Sequence, residues 1–165
     1  MKIIVIVRHA KAIEHDPEIT DYERSLRIRG IKDAHKVSKH LKKSKIIPQL
    51  IISSPAFRAF ETASIFASEL DYSVKKIQIE DFLYEDYSSL DFFNMIYQCD
   101  PSVSTVLIVA HDPHISRMSA VLAKNFNVFL PTTGTAVLEF EAKSWSDIKE
   151  SEGKLLKYWF AEKLD

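Results

Sequence analysis

The sequence predicts an α/β fold, a three-layer α/β/α sandwich around a mostly parallel central sheet. Three observations carry that expectation. Residues 3–7, 50–52 and 106–109 are short, continuous apolar runs rich in β-branched side chains, as in strands buried on both faces. Segments of helical periodicity separate them, and strand–helix alternation marks a parallel sheet. The chain has 165 residues, 46% of them apolar, enough to build one core, so residues 1–165 are read as a single domain.

The elements follow in order. Ile3 to Val7 form the first strand, closed by Arg8 and His9. Residues 11–25 are polar and contain Pro17, which reads as a loop. After Gly30, the residues Ile31, Ala34, Val37, Ser38 and Leu41 share one helical face, with lysines opposite. Leu50 to Ile52 make the second strand. Ser53-Ser54-Pro55 then resembles a helix start, with Ser54 as cap and Pro55 at the first helical position. Ala59, Thr62, Ala63, Phe66 and Leu70 give that helix its apolar stripe. A weaker strand spans 74–79, a helix 88–98, a strongly apolar strand 106–109, and a further helix 113–126. Residues 136–140 and 155–160 alternate more and read as outer strands.

Composition excludes several classes. The net charge is −1 with mixed signs along the chain, which does not give the basic face of a nucleic-acid binder. The lysines between Lys36 and Lys45 read as a solvated helix face. The apolar run after Met1 is too short for a membrane span. Cys99 is the one cysteine, which points to a reducing compartment and a cytoplasmic location. No Cys-x5-Arg phosphate loop follows it. A monomer is the default expectation, with no nucleic-acid or membrane partner and no cofactor. His111 and His114 lack a further ligand nearby, so no metal is expected.

In parallel sheets, ligands gather beyond the carboxyl ends of the strands. Arg8 and His9 follow the first strand there, Ser53, Ser54 and Arg58 the second, and His111 and Asp112 the fourth. Two arginines and two histidines thus converge on one edge. Guanidinium groups match phosphate oxygens. A helix beginning near Pro55 adds partial positive charge. A neutral imidazole can attack phosphorus, and a second, protonated imidazole can stabilise the transferring group.

The stretch Arg8-His9-Ala10-Lys11-Ala12 resembles the Arg-His-Gly signature of the histidine phosphatase superfamily, which includes the phosphoglycerate mutases. The likeness is stronger to its small SixA-type phosphohistidine phosphatases. An Asp-x-x-Arg-x-Leu-x-x-x-Gly block is present from Asp21 to Gly30. A Ser-Ser-Pro-x-x-Arg-x-x-x-Thr block runs from Ser53 to Thr62. A Gly-His-Asn-Pro-like block reads Ala110-His111-Asp112-Pro113. The resemblance implies a phosphoglycerate mutase-like fold. It makes His9 the phosphoryl acceptor and Arg8, Arg58 and His111 the phosphate holders. Arg24 either faces the phosphate or anchors its loop. Ser54 is read as a helix cap.

The chain departs from the family at the proton donor. Asp112 stands where the acid phosphatase branch places a donor aspartate, but the cap of the helix after Pro113 is the favoured reading. In the mutase-like branch a glutamate after the third strand donates, and Glu85 is the best-placed candidate. The expected activity is hydrolysis of a phosphomonoester or protein phosphohistidine, the partner being a phosphorylated protein or small molecule. Phosphosugar mutase chemistry and a non-catalytic phosphate-binding module are the alternatives.

Overall fold

The computed structural model describes residues 1–164. Its centre is one six-stranded sheet in the order β3-β2-β4-β1-β5-β6. The strands are β1 (Lys2–Arg8), β2 (Leu50–Ser53), β3 (Gln78–Ile79), β4 (Thr105–Ala110), β5 (Thr135–Phe140) and β6 (Lys154–Trp159). β3, β2, β4 and β1 run parallel, whereas β5 is antiparallel to both β1 and β6. The predicted three-layer, mostly parallel arrangement is therefore present.

Helices α1 (Ile28–Lys43) and α2 (Phe57–Glu69) cover one face, and α3 (Ser89–Tyr97) and α4 (His114–Leu122) the other. β1 shows why its sequence has no alternation. Ile4 and Ile6 join the core under α3 and α4, while Val5 and Val7 join the core under α1 and α2. Both faces are dry, so apolar side chains are favoured at successive positions.

Several boundaries differ from expectation. α1 starts two residues before Gly30, and Ile31 is half-exposed while Gly30 and Asp33 turn inward. α2 starts at Phe57 rather than Pro55, because Ser54 still pairs with β4 through its N–H to Val109 O at 3.0 Å. The chain must then turn through Pro55 and Ala56 before a helix can begin. α4 ends at Leu122, where extended Ala123 bridges to Gly153. A 3-10 turn over Val74–Lys76 takes half of the expected third strand. β5 is not an outer strand; it lies between β1 and β6 and is almost wholly buried. Phe57 and Phe60 are half-exposed, unlike the core residues Phe66 and Phe92. Cys99 is buried, which pushes its thiol up to about 11 and disfavours the reactive thiolate.

Gly30 fixes the approach of the nucleophile loop to α1. A Cβ there would lie 2.1 Å from the Lys11 carbonyl oxygen, and that oxygen already accepts the Arg27 N–H at 3.0 Å. Backbone cannot yield as a side-chain tip can. We expect Gly30→Ala to lower stability by about 1–3 kcal/mol and the melting temperature by roughly 2–12 °C. A thermal melt with unchanged midpoint would show that the loop accommodates the methyl group.

Candidate active site

The site is built first by backbone. The last rung of the β1–β4 ladder pairs Arg8 with Ala110. Pairing continues one step further, with His9 N–H donating to Ala110 O at 3.1 Å. On the other side of β4, Ser54 N–H reaches Val109 O. Three strand ends therefore deliver His9, Ser54 and His111 to one edge. The two imidazole rings lie 5.1 Å apart, and their residues are only 9% and 8% exposed.

The tautomer of His9 follows from its partner. Nδ1 is 2.7 Å from the Ala10 carbonyl oxygen, which can only accept. Nδ1 thus carries the proton, and in the neutral ring Nε2 carries the lone pair. Burial pushes the His9 pKa down to about 4, with the Arg58, Arg8 and Arg24 charges acting in the same direction. The hydrogen bond to Ala10 opposes them but does not prevail. Near pH 7 the ring is a neutral nucleophile.

Burial, then the neighbouring His9 and Arg58, holds the His111 pKa far below the ordinary range. The ring is therefore neutral in the free protein; the protonated partner expected from the sequence belongs to the phosphate-bound site. Its Nε2 lies 2.7 Å from Ser54 Oγ. Ser54 Oγ also accepts the Ala56 N–H at 3.3 Å, and its own proton finds an acceptor when it is donated to Nε2. Nδ1 then bears the ring's proton. Ser54 is therefore not the expected cap, since the N-cap of α2 is Ala56 and no side chain caps it; its hydroxyl instead sits on Nε2 of His111.

The arginines are held by protein oxygens. Arg8 Nη1 donates to Leu130 O at 2.8 Å and lies 3.5 Å from Asp112 Oδ2. Arg58 donates through Nη1 to Asp21 O at 2.7 Å and through Nη2 to Asp21 Oδ2 at 3.0 Å. Arg24 donates through Nε to Ile13 O at 3.0 Å and through Nη1 to Asp21 Oδ1 at 2.8 Å. It anchors its loop, and its charge also reaches His9. Thr62 Oγ1 accepts the Ala10 N–H at 2.9 Å and donates to Arg58 O at 2.7 Å, tying α2 to the nucleophile loop.

Asp21 is the residue the sequence reading passed over. Its carboxylate accepts from Arg24, Arg58 and the Tyr84 hydroxyl, the last at 2.9 Å. Burial alone would raise its pKa, but these hydrogen bonds hold it well below the usual carboxylate range. Tyr84 in turn is raised by burial and by this bond. The available signal was the spacing of Asp21 and Arg24 on one turn, capped by Thr20 and Glu23. The convergence with Tyr84 had no sequence signal, being a contact across 63 positions.

The two candidate acids fall differently. Asp112 Oδ1 accepts from Ser116 N at 3.1 Å and Ser116 Oγ at 2.5 Å. This is a helix-capping role for α4, exercised one residue before the cap position. Glu85 is exposed, and its backbone N–H donates to Phe82 O at 3.0 Å. Its neighbour Tyr84 is the one that enters the site. His114 does not join His111; it pairs with Asp86 and packs on Tyr87.

Among the described residues, three buried side-chain polar atoms lack a hydrogen-bond partner. One is the Tyr87 hydroxyl; the others, Arg8 Nε and His111 Nδ1, belong to this site. Leaving a buried polar atom unpaired costs roughly 1–3 kcal/mol; Arg8 Nε can only donate, and His111 Nδ1 donates when Ser54 holds Nε2, so the cluster points to an anionic ligand.

Fold and site together define an α/β domain with paired neutral histidines inside an arginine-lined oxyanion cradle. The chain belongs to the histidine phosphatase superfamily (branch 1), whose family model matches residues 4–99. It resembles an uncharacterized chloroplastic protein of Arabidopsis thaliana, with 25% identity over 87% of this chain and 69% of that one. Among solved structures it matches the protein histidine phosphatase SixA complexed with tungstate, at a TM-score of 0.81 and 18% identity over 99% of each chain. It also matches a phosphoserine phosphatase of Entamoeba histolytica with 3-phosphoglyceric acid, at a TM-score of 0.67 and 15% identity over 100% of each chain. The fold is that of these SixA-like and phosphoglycerate mutase-like proteins.

Two outcomes follow from the histidine geometry. Replacing Ser54 by Ala removes the donor to His111 Nε2. The ring should then populate the Nε2–H tautomer, seen as exchanged nitrogen shifts in ¹⁵N NMR, and turnover should fall about tenfold or more. An unchanged His111 tautomer in Ser54→Ala would refute the assignment.

The second concerns pH. Unfolded His9 takes a proton near its ordinary 6.5, whereas folded His9 resists until about 4. Its contribution to stability is thus fully present above pH 6.5 and is lost as pH falls through that window toward 4. It amounts to at most about 3 kcal/mol. His9→Asn should flatten the rise of melting temperature between those pH values; an unaltered slope would show that His9 is not the group responsible.

Proposed function

We propose that the protein is a phosphatase that hydrolyses a phosphomonoester or a protein phosphohistidine through a covalent phosphohistidine on His9. The observation that supports this most strongly is the pair of unsatisfied buried donors, Arg8 Nε and His111 Nδ1, beside a histidine whose Nε2 bears the lone pair. The SixA relative's complex with tungstate, a tetrahedral oxyanion, agrees with a phosphate-shaped cradle.

In the first step His9 Nε2 forms a bond to phosphorus while the bond to the leaving group breaks. Arg8 Nε, His111 Nδ1–H and the Arg58 donors not used by Asp21 hold the non-bridging oxygens. In the second step water takes the phosphoryl group, and His9 returns to its neutral tautomer. An alkoxide leaving group needs a positioned acid, which typically contributes ~10²–10⁴-fold. Asp112 is engaged by Ser116 and Arg8, and Glu85 is exposed. Leaving groups that depart without strong acid assistance, such as the neutral imidazole of a ring-protonated phosphohistidine or a phenolate, therefore suit this site best.

The test is turnover of p-nitrophenyl phosphate and of a phosphohistidine protein by wild type and His9→Ala. Wild type should form an acid-labile, base-stable phosphoenzyme. His9→Ala should form none and lose activity by about three orders of magnitude or more. Activity persisting in His9→Ala would remove the nucleophile assignment.

A further inference from the structure

Beside the phosphate cradle stands a row of aromatic rings that the covalent chemistry does not use. Tyr84 lies edge-to-face against His111, with centroids 5.7 Å apart. Tyr22 meets Tyr84 at 5.2 Å and an interplanar angle of 90°. Phe57 meets Tyr22 at 5.9 Å and 60°. The three residues come from separate segments: the 3-10 turn over Asp21–Glu23, the 3-10 turn over Asp81–Tyr84, and the first residue of α2. The row runs from half-buried Tyr84 beside His111 to the more exposed Phe57.

Its outer members are not core residues. Tyr22 is 37% exposed and Phe57 45% exposed. Its inner member is fixed, because the Tyr84 hydroxyl donates to Asp21 Oδ2, which also receives Arg58. One carboxylate thus aligns a phosphate-binding guanidinium and the base of the aromatic row. A wall held in place before binding costs little ordering on contact. Aromatic faces attract other rings in stacked or edge-to-face geometry, and they attract cationic rings more strongly.

We propose that Tyr84, Tyr22 and Phe57 are specificity-determining residues that seat a planar ring carried by the phosphoryl group. The site then prefers phosphate on a flat unsaturated group, an imidazole or a phenol ring, to phosphate on an alkyl chain. This rests on the phosphatase reading above and names its substrate class. The ring packs against the wall while the phosphoryl oxygens meet Arg8, Arg58 and His111. No further covalent step is involved.

Phosphonates separate ring recognition from leaving-group reactivity, since their carbon–phosphorus bond is not hydrolysed. Calorimetric titration of the full chain with inorganic phosphate, methylphosphonate and phenylphosphonate gives three dissociation constants. Phenylphosphonate should bind about three- to tenfold more tightly than methylphosphonate. In Tyr22→Leu, Phe57→Leu and the double variant, that ratio should fall toward one. Leucine keeps apolar volume without an aromatic face, both positions are partly exposed, and binding of inorganic phosphate by each variant reports that the fold and the cradle are intact. Equal binding of the two phosphonates by wild type would overturn the proposal while leaving the phosphate site intact. A ratio that survives in the double variant would also overturn it, reducing the row to packing between loops. If inorganic phosphate and both phosphonates fail to bind wild type, the phosphatase reading falls, and this one with it.

Discussion

The parallel register of β1, β4 and β2 is the constraint on which the site depends. Arg8 pairs with Ala110, and Ser53 with Val109, as the last rungs on either side of β4. One residue beyond these rungs, all three chains are still tied by backbone hydrogen bonds. His9, Ser54 and His111 cannot drift apart without breaking them. Those bonds sit at the end of a sheet whose inner strands are almost wholly buried, where an unpaired backbone group is costly. The separation of the two imidazoles is thus set by main chain, and side-chain packing only refines it.

Asp21 performs the corresponding role for charge. Around the two neutral imidazoles stand three guanidinium groups and two carboxylates, Asp21 and Asp112. Each carboxylate holds an arginine in place and offsets part of the positive field. What remains is a modest positive excess, concentrated where donors are left over. Burial, with this excess acting in the same direction, keeps His9 neutral, and a more positive cradle would lower its basicity further. On the proposed reading, a bound phosphoryl dianion reverses the sign of the field at both rings. It favours protons on them and strengthens every donor aimed at phosphate. Burial and arginine proximity lower the histidine pKa values in the free protein; they leave the rings able to respond to the ligand.

Much of this was legible in the sequence, for identifiable reasons. Buried parallel strands write themselves as unbroken apolar runs, and their carboxyl ends are where ligands collect. Arg8, His9, Arg58 and His111 were found because each follows such a run closely. β5 was misplaced to the sheet's margin because alternation was read as exposure. In fact its two faces meet different cores, Ala136 and Leu138 on one side and Val137 on the other. Asp21 and Tyr84 were not found because their roles come from contacts between loops, which carry no periodicity. Ser54 was assigned to the wrong partner. A serine before a proline signals a cap, and no local pattern reveals the histidine 57 positions away.

The proton inventory links the structure to its chemistry. In the free site both imidazoles are neutral, His9 protonated on Nδ1 and His111 on Nδ1 when Ser54 donates to its Nε2. Neither ring nitrogen facing phosphate is a strong acid, and the aspartate in the donor position of a related branch caps α4 instead. The transition state must then rely on held oxygens more than on proton donation. Such a site distinguishes leaving groups by their own stability as anions or neutral bases, and by how their shape meets the surrounding wall. Both criteria favour the same molecules, because delocalisation that flattens a ring also stabilises its departing atom. On the proposed phosphatase reading, the aromatic row and the engaged aspartate are therefore two expressions of one preference, the first acting on binding and the second on bond cleavage.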